Sequence, residues 1–181
     1  MQKISIIIPT RNRKNLLRRA VMNAFIHKEI NFEVIISDNN SEDGTWNLLK
    51  ELKKEYQEVK IIKQETLINL SDHWDTVIKK HSVGEYVLLL SDDDILNDKN
   101  YLRDACKILD KNDEVSVVFA RYQEVDSNDN IIGEYNTVWP SIVSGKDMLK
   151  KYNSGKNLFI PFLTGVFRRS HYIRVGGFKS M

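Results

Sequence analysis

The chain has 181 residues, 41% of them hydrophobic and 29% charged, which allows a buried core and excludes a disordered or fibrous polypeptide. Its 27 basic and 25 acidic side chains leave a formal charge of +2, too balanced for a nucleic-acid binder. No apolar run approaches the roughly 20 residues that cross a bilayer, and no signal-peptide pattern opens the chain, so a cytoplasmic protein is expected.

In chain order, residues 3–9 form a β-branched apolar run stopped by Pro9, a predicted strand. Leu16, Leu17, Ala20, Val21 and Ala24 then recur at helical spacing across 14–25. Residues 32–37 read as a second buried strand. Turn residues at 39–44 follow, with Ser41, Asp43 or Thr45 available to cap a helix that runs to about Glu55. A short strand is predicted at 59–63, a helix at 74–82 ended by Gly84, and a fourth strand at 85–90. Lys50, Lys53, Lys54, Lys79 and Lys80 fall on these helices as solvated faces or as a membrane-surface patch. Cys106, the one cysteine, forms no internal disulfide; within a helix at 101–109 it reads as a small core residue. A strand at 115–121, a turn at 126–130 leading to Ile131 and Ile132, a helix at 144–152 and a strand at 162–168 complete the pattern. After Val175-Gly176-Gly177-Phe178 there is no stop signal, and a domain cut short at its C-terminus is expected.

Strands alternating with helices across short loops predict a parallel sheet covered on both faces, with ligands at the carboxyl ends of its strands. Three polar clusters fall at such ends. Ser91-Asp92-Asp93-Asp94 follows an apolar strand, and three adjacent carboxylates there are costly without a cation. Hard divalent ions prefer oxygen ligands and often take one or two carboxylates plus substrate phosphates. The same triplet also reads as a solvated acidic turn. Asp38, with Asn39, Asn40 and Ser41, is placed to accept from a base or ribose, or to form an Asx-turn. Pro9-Thr10-Arg11-Asn12-Arg13 offers backbone amides and cations at a helix mouth, suited to a diphosphate or simply exposed. No Walker-type glycine loop and no GxGxxG is present.

Together the segments SIIIPTRNRKNLLRRA, FEVIISDNNSEDGTW, VGEYVLLLSDDDIL and LTGVFRRSHYIRVGGF resemble family 2 glycosyltransferases of the GT-A fold. The likeness runs across residues 3–97 and resumes at 161–178, and its spelling is similar to an abequosyltransferase-like branch of bacterial surface polysaccharide enzymes. It implies an α/β fold, a Rossmann-like, mainly parallel mixed sheet flanked by helices. Residues 1–97 would form the nucleotide-sugar half and 98–181 the start of the acceptor half. It implies an inverting, metal-dependent transfer from a nucleotide-diphosphate sugar to a saccharide or lipid-linked saccharide, at the inner membrane face if the acceptor is lipid-linked.

By the same resemblance Pro9, Thr10, Arg11 and Arg13 line the nucleotide pocket, Asp38 holds the base, and Asn40 and Ser41 support that loop. Asp92 and Asp94 form a DxD-like pair across Asp93. Asp94 is the preferred ligand of Mn²⁺ or Mg²⁺, with Asp92 beside it, while Asp92 or Asp93 faces the ribose. The commoner Asp-x-Asp-Asp run has Ser91 here in its first place. An Arg-Asn pair usual in the helix before the GEY stretch is replaced by Asp75 and Thr76, for which Asn69 or His73 is a substitute. Thr164 and Gly165 fall near the acceptor, where Trp139 in its loop is a stacking candidate. Trp46 and Trp74 read as core, and His27, His73, His81 and His171 as structural. The usual catalytic carboxylate follows the GGF stretch, and so is expected beyond Met181. A receiver-like phosphotransfer domain lacks its first-strand acids here, and a nucleotidyltransferase lacks its glycine loop. A non-catalytic nucleotide-sugar-binding module is the remaining alternative.

Overall fold

The computed structural model describes residues 3–27, 29–135, 141–153 and 162–178. Its first half alternates β1 (Ile4–Thr10), α1 (Lys14–Ala24), β2 (Phe32–Asp38), α2 (Thr45–Glu55), β3 (Val59–Lys63), α3 (Leu70–Thr76) and β4 (Tyr86–Leu89). The second half holds α4 (Tyr101–Lys111), β5 (Val117–Val118), β6 (Tyr122–Val125), β7 (Ile131–Tyr135), α5 (Gly145–Asn153), β8 (Val166–Arg168) and α6 (Arg169–Arg174). Among the described residues six strands form one sheet in the order β3-β2-β1-β4-β8-β5, and β6 pairs with β7 alone. The first four strands are mutually parallel; β8 runs antiparallel between β4 and β5. The expected mixed, mainly parallel sheet flanked by helices is the observed fold.

The strands are apolar on both faces because both faces are covered. Ile4, Ile6 and Ile8 pack with Leu17, Val21, Leu49, Leu52, Leu102 and Leu109 under α1, α2 and α4. Ile7, Ile35, Val87 and Leu89 point the other way, against Val77, Ile78, Trp74, Tyr172 and Phe178. Burying each such side chain is worth about 1.5–3 kcal/mol, so two cores grip one sheet. Cys106 lies within the first of them, as its spacing predicts.

Three elements differ from expectation. The helix predicted at 74–82 begins at Leu70, because the Asn69 side chain caps it by accepting from the Asp72 N–H at 2.8 Å. From Val77 to His81 it widens into a π-helical turn, whose Ile78 and Lys79 carbonyls accept from Arg169. The strand predicted at 115–121 is a two-residue pairing, since the Thr164 hydroxyl bonds both the N–H and C=O of Ala120 and takes the place of a ladder partner. Residues Phe162–Thr164 form a 3₁₀ turn instead of the start of a strand.

The amino end of the sheet is fastened by charge. Buried Glu33 accepts from Ser5 Oγ at 2.5 Å, from Val83 N–H at 2.7 Å and from Lys60 Nζ at 2.5 Å. On the other side, buried Arg168 donates to the carbonyls of Leu109, Asn112 and Val115, closing the end of α4 onto β8.

Burial alone pushes the Glu33 carboxyl up, but Lys60, Ser5 and Val83 outweigh it and hold it below its ordinary range. Stability tied to a depressed carboxyl is present above its unfolded value, near 4.3, and is lost as pH falls through the folded one. Glu33→Ala is expected to cost roughly 2–4 kcal/mol at pH 7, because it strands buried donors. Urea denaturation of both proteins should show that difference shrinking below about pH 4; a gap that stays constant with pH would contradict the role assigned to this network.

Candidate functional site

Chain progression runs from β1 outward through β2 to β3, then returns to place β4 on the other flank of β1. In parallel sheets such a reversal opens a crevice at the strands' carboxyl ends. A cavity of about 350 Å³ lies there. The β1 end contributes Pro9, Thr10, Arg11 and Arg13, and the β4 end contributes Leu89, Leu90, Ser91 and Asp92. Asn39 enters from beyond β2, and Leu67, Ile68, Leu70, His73, Trp74 and Leu163 supply an apolar side.

Two of these residues, distant in sequence, meet directly. The Thr10 hydroxyl donates to Asp92 Oδ2 at 2.6 Å, and both are buried. Burial pushes the Asp92 carboxyl up; Thr10 and Arg13 oppose that shift and Asp93 adds to it. Asp94 is also pushed up, by the crowding protein around it and then by the charges of Asp93 and Asp92. Asp93 and Asp94 lie on the exposed turn that leaves the cleft, with Ser91 donating to Asp93. Among the described residues no three His, Cys, Asp or Glu side chains form a metal cluster. Asp92 in the cleft and Asp94 on the turn beside it offer carboxylate oxygens, the donor type that a hard divalent cation takes together with phosphate oxygens and water.

The loops around the mouth are stitched to each other. Asn12, at φ 54°, donates its N–H to Ser41 Oγ at 2.9 Å and accepts from Glu42 N–H at 2.9 Å. Lys14 N–H donates to Asp43 at 3.1 Å. Asp38 Oδ1 accepts from the N–H of Ser41 at 3.1 Å and from its hydroxyl. Its other oxygen is buried with no partner among the described residues, a costly state that an incoming donor would relieve. Asn40, at φ 59°, turns the same loop.

The sequence-predicted residues therefore separate into groups. Pro9, Thr10, Arg11, Arg13 and Asp92 share one cleft, with the Asp38–Ser41 loop tied to its rim. Asn69 spends its amide on the cap of α3 and is not among the lining residues. Thr164 closes the Ala120 backbone, and a β-carbon at Gly165 would press on Phe119 and the Phe162 carbonyl, so what approaches there is protein. Trp139 falls outside the described residues.

Sequence reasoning missed most of the apolar side. Asn39 holds it in place, its amide donating to Ile68 C=O at 2.9 Å and accepting from Ile68 N–H at 3.1 Å. Leu67 and Leu70 are 51% and 59% exposed, and two leucines flanking a helix cap with no core to enter were the available signal. His73 sits beneath, its Nε2 2.7 Å from Ser37 Oγ, and burial lowers its pKa to about 4. It is neutral at pH 7.

Comparison with known proteins places these features. The family model described as Glycosyl transferase family 2 matches residues 5–174. The GalNAc(5)-diNAcBac-PP-undecaprenol beta-1,3-glucosyltransferase of Campylobacter jejuni is 34% identical over 101 residues, 53% of this chain and 31% of that protein. The poly(ribitol-phosphate) beta-glucosyltransferase of Bacillus spizizenii is 32% identical over 108 residues, 56% of this chain and 16% of its own length. This chain thus spans a third or less of those relatives. In fold it is similar to Staphylococcus aureus TarS in complex with UDP-GlcNAc, with TM-score 0.72, 20% identity, and 97% and 48% of the two chains covered. It is likewise similar to the mannosyltransferase PcManGT from Pyrobaculum calidifontis in complex with GDP-Man and Mn2+, with TM-score 0.70, 19% identity, and 98% and 47% covered.

Because the Asp92 carboxyl is pushed up by folding, its ionised form opposes folding at neutral pH. Asp92→Asn, which can still accept from Thr10, is expected to raise the melting temperature of the ligand-free protein, by about 2–4 °C per kcal/mol relieved. Differential scanning calorimetry at pH 7 decides this, and a lowered midpoint would mean that Asp92 stabilises the cleft as a carboxylate.

Proposed function

The chain belongs to glycosyl transferase family 2, and on that premise we propose that its cleft binds a nucleotide-diphosphate sugar and serves inverting transfer of the sugar to an acceptor hydroxyl. The Thr10–Asp92 contact carries this reading, because it joins a basic mouth to an acidic turn at the crevice where such sheets bind ligands. Arg11 and Arg13 take the diphosphate, aided by backbone amides of the β1–α1 loop. The unpartnered oxygen of Asp38 accepts from the base, and Asn40 and Ser41 hold its loop. Asp92 and Asp93 serve the ribose side.

Asp94, with Asp92, holds a divalent cation, Mn²⁺ or Mg²⁺, whose chemistry is to neutralise charge on the departing diphosphate. A relative bound to GDP-Man and Mn2+ supports that choice. Residues 1–97 act as the donor half, and 98–181 contribute to the acceptor half. The acceptor is a saccharide or lipid-linked saccharide of bacterial surface polysaccharide synthesis, a reading supported by the PP-undecaprenol-linked saccharide in one relative's name. Among the described residues no helix is long and apolar enough to cross a membrane. A lipid-linked acceptor would be met at the inner membrane face.

A thermal-shift panel of UDP, GDP, CDP and dTDP with and without Mn²⁺ tests this reading. One diphosphate at 100 times its Kd should add about 2.7 kcal/mol of stability, and Asp94→Ala should remove the manganese-dependent part. A panel in which no diphosphate shifts the midpoint would refute it.

A further inference from the structure

Behind the apolar side of the cleft, the segment around α6 is locked onto α3 by contacts that the donor-binding roles do not use. Tyr172 on α6 donates its hydroxyl to Asp75 Oδ1 at 2.8 Å and accepts from the Phe178 N–H at 3.0 Å. Asp75 also pairs with Lys79 at 2.8 Å, and Lys79 donates to the Gly176 carbonyl at 2.8 Å. Two left-handed glycines, Gly176 at φ 89° and Gly177 at φ 75°, reverse the chain after α6. A β-carbon at Gly177 would overlap Asp75 Oδ1, so the turn and the helix approach as closely as the backbone allows.

This reversal delivers Phe178 onto Trp74. Their ring centres are 5.8 Å apart at 64°, and Phe178 meets Phe162 and Tyr172 in similar edge contacts at 5.7 and 5.3 Å. Phe162 lies parallel to Trp74 at 6.4 Å. Trp74 itself lines the cleft. Lys79, expected from the sequence on a solvated face or a membrane-surface patch, is drawn into this lock. Asp75 has a defined partner set, Tyr172 and Lys79.

We propose that Tyr172, Asp75 and Gly177 are positioning residues: they fix Phe178 behind Trp74 and so set the cleft wall against which the nucleotide donor rests. The inference rests on the donor-binding reading above, and its mechanism is preorganisation. A wall held before binding loses no side-chain freedom when the ligand arrives. None of the three touches the ligand. They act only through Trp74.

The test uses the whole chain with Trp46→Phe and Trp139→Phe, leaving Trp74 as the sole tryptophan. Tyr172→Phe removes one hydroxyl and two hydrogen bonds without changing the ring. It should raise acrylamide quenching of Trp74 and weaken binding of the diphosphate selected by the thermal-shift panel about five- to tenfold by calorimetry. Gly177→Ala should act in the same direction and further, and if it fails to fold, Tyr172→Phe decides alone. Ser116→Ala, which removes the Ser116–His171 contact elsewhere on α6, should change neither readout. Unchanged quenching, or unchanged affinity, in Tyr172→Phe would overturn the inference while leaving the proposed function standing. Failure of the unsubstituted protein to bind any diphosphate would overturn both.

Discussion

The structure depends on the junction between the ends of β1 and β4. Two strands that lie 82 residues apart in sequence are hydrogen-bonded side by side, and at their carboxyl ends the Thr10 hydroxyl meets the Asp92 carboxylate. Parallel pairing aligns the strand ends, the reversal of chain progression opens the crevice, and the hydrogen bond fixes where its acidic residue stands. The rest of the molecule supports that junction. Two apolar layers hold the sheet, the Glu33 network secures its opposite end, and the cross-linked β1–α1 and β2–α2 loops keep the mouth in shape.

That arrangement stores free energy where a ligand can use it. Asp92 and Asp94 are carboxyls pushed up by their surroundings, and one oxygen of Asp38 is buried without a partner among the described residues. Each is unfavourable in the ligand-free protein, and a cation or a hydrogen-bond donor relieves it. The opposite strategy holds at the amino end of the sheet, where every bond to Glu33 favours its charged form. One end is satisfied by its own contacts, and the other, where we propose that the donor binds, holds the unsatisfied groups.

Much of this was legible in the sequence because local chemistry and global fold agree. The run of isoleucines in β1, the helical spacing of Leu17, Ala20, Val21 and Ala24, and the acidic turn after β4 each specify their own element. The family follows from four segments in order, now matched across residues 5–174. What was not legible required contacts between distant segments. Nothing near residue 74 announces that its indole meets Phe162 and Phe178, and nothing near residue 168 announces a guanidinium serving three carbonyls at and just beyond the end of α4. Asn69 is the instructive case: the family resemblance suggested it as a substitute donor contact, and its side chain caps α3 by accepting from the Asp72 N–H three positions on.

The ribbon of β6 and β7 stands apart from this economy. Among the described residues it pairs with no strand of the large sheet, and it carries Ile131 and Ile132 outward at 55% and 68% exposure. The turn at its tip is held to α1 by an exposed contact between Arg19 and Asp129. A two-stranded ribbon with so little backing is marginal in water, and an ion pair in solvent contributes at most about 1 kcal/mol. Local fraying there is cheaper than opening the large sheet, so its amide protons are expected to exchange ahead of those in β1 and β4.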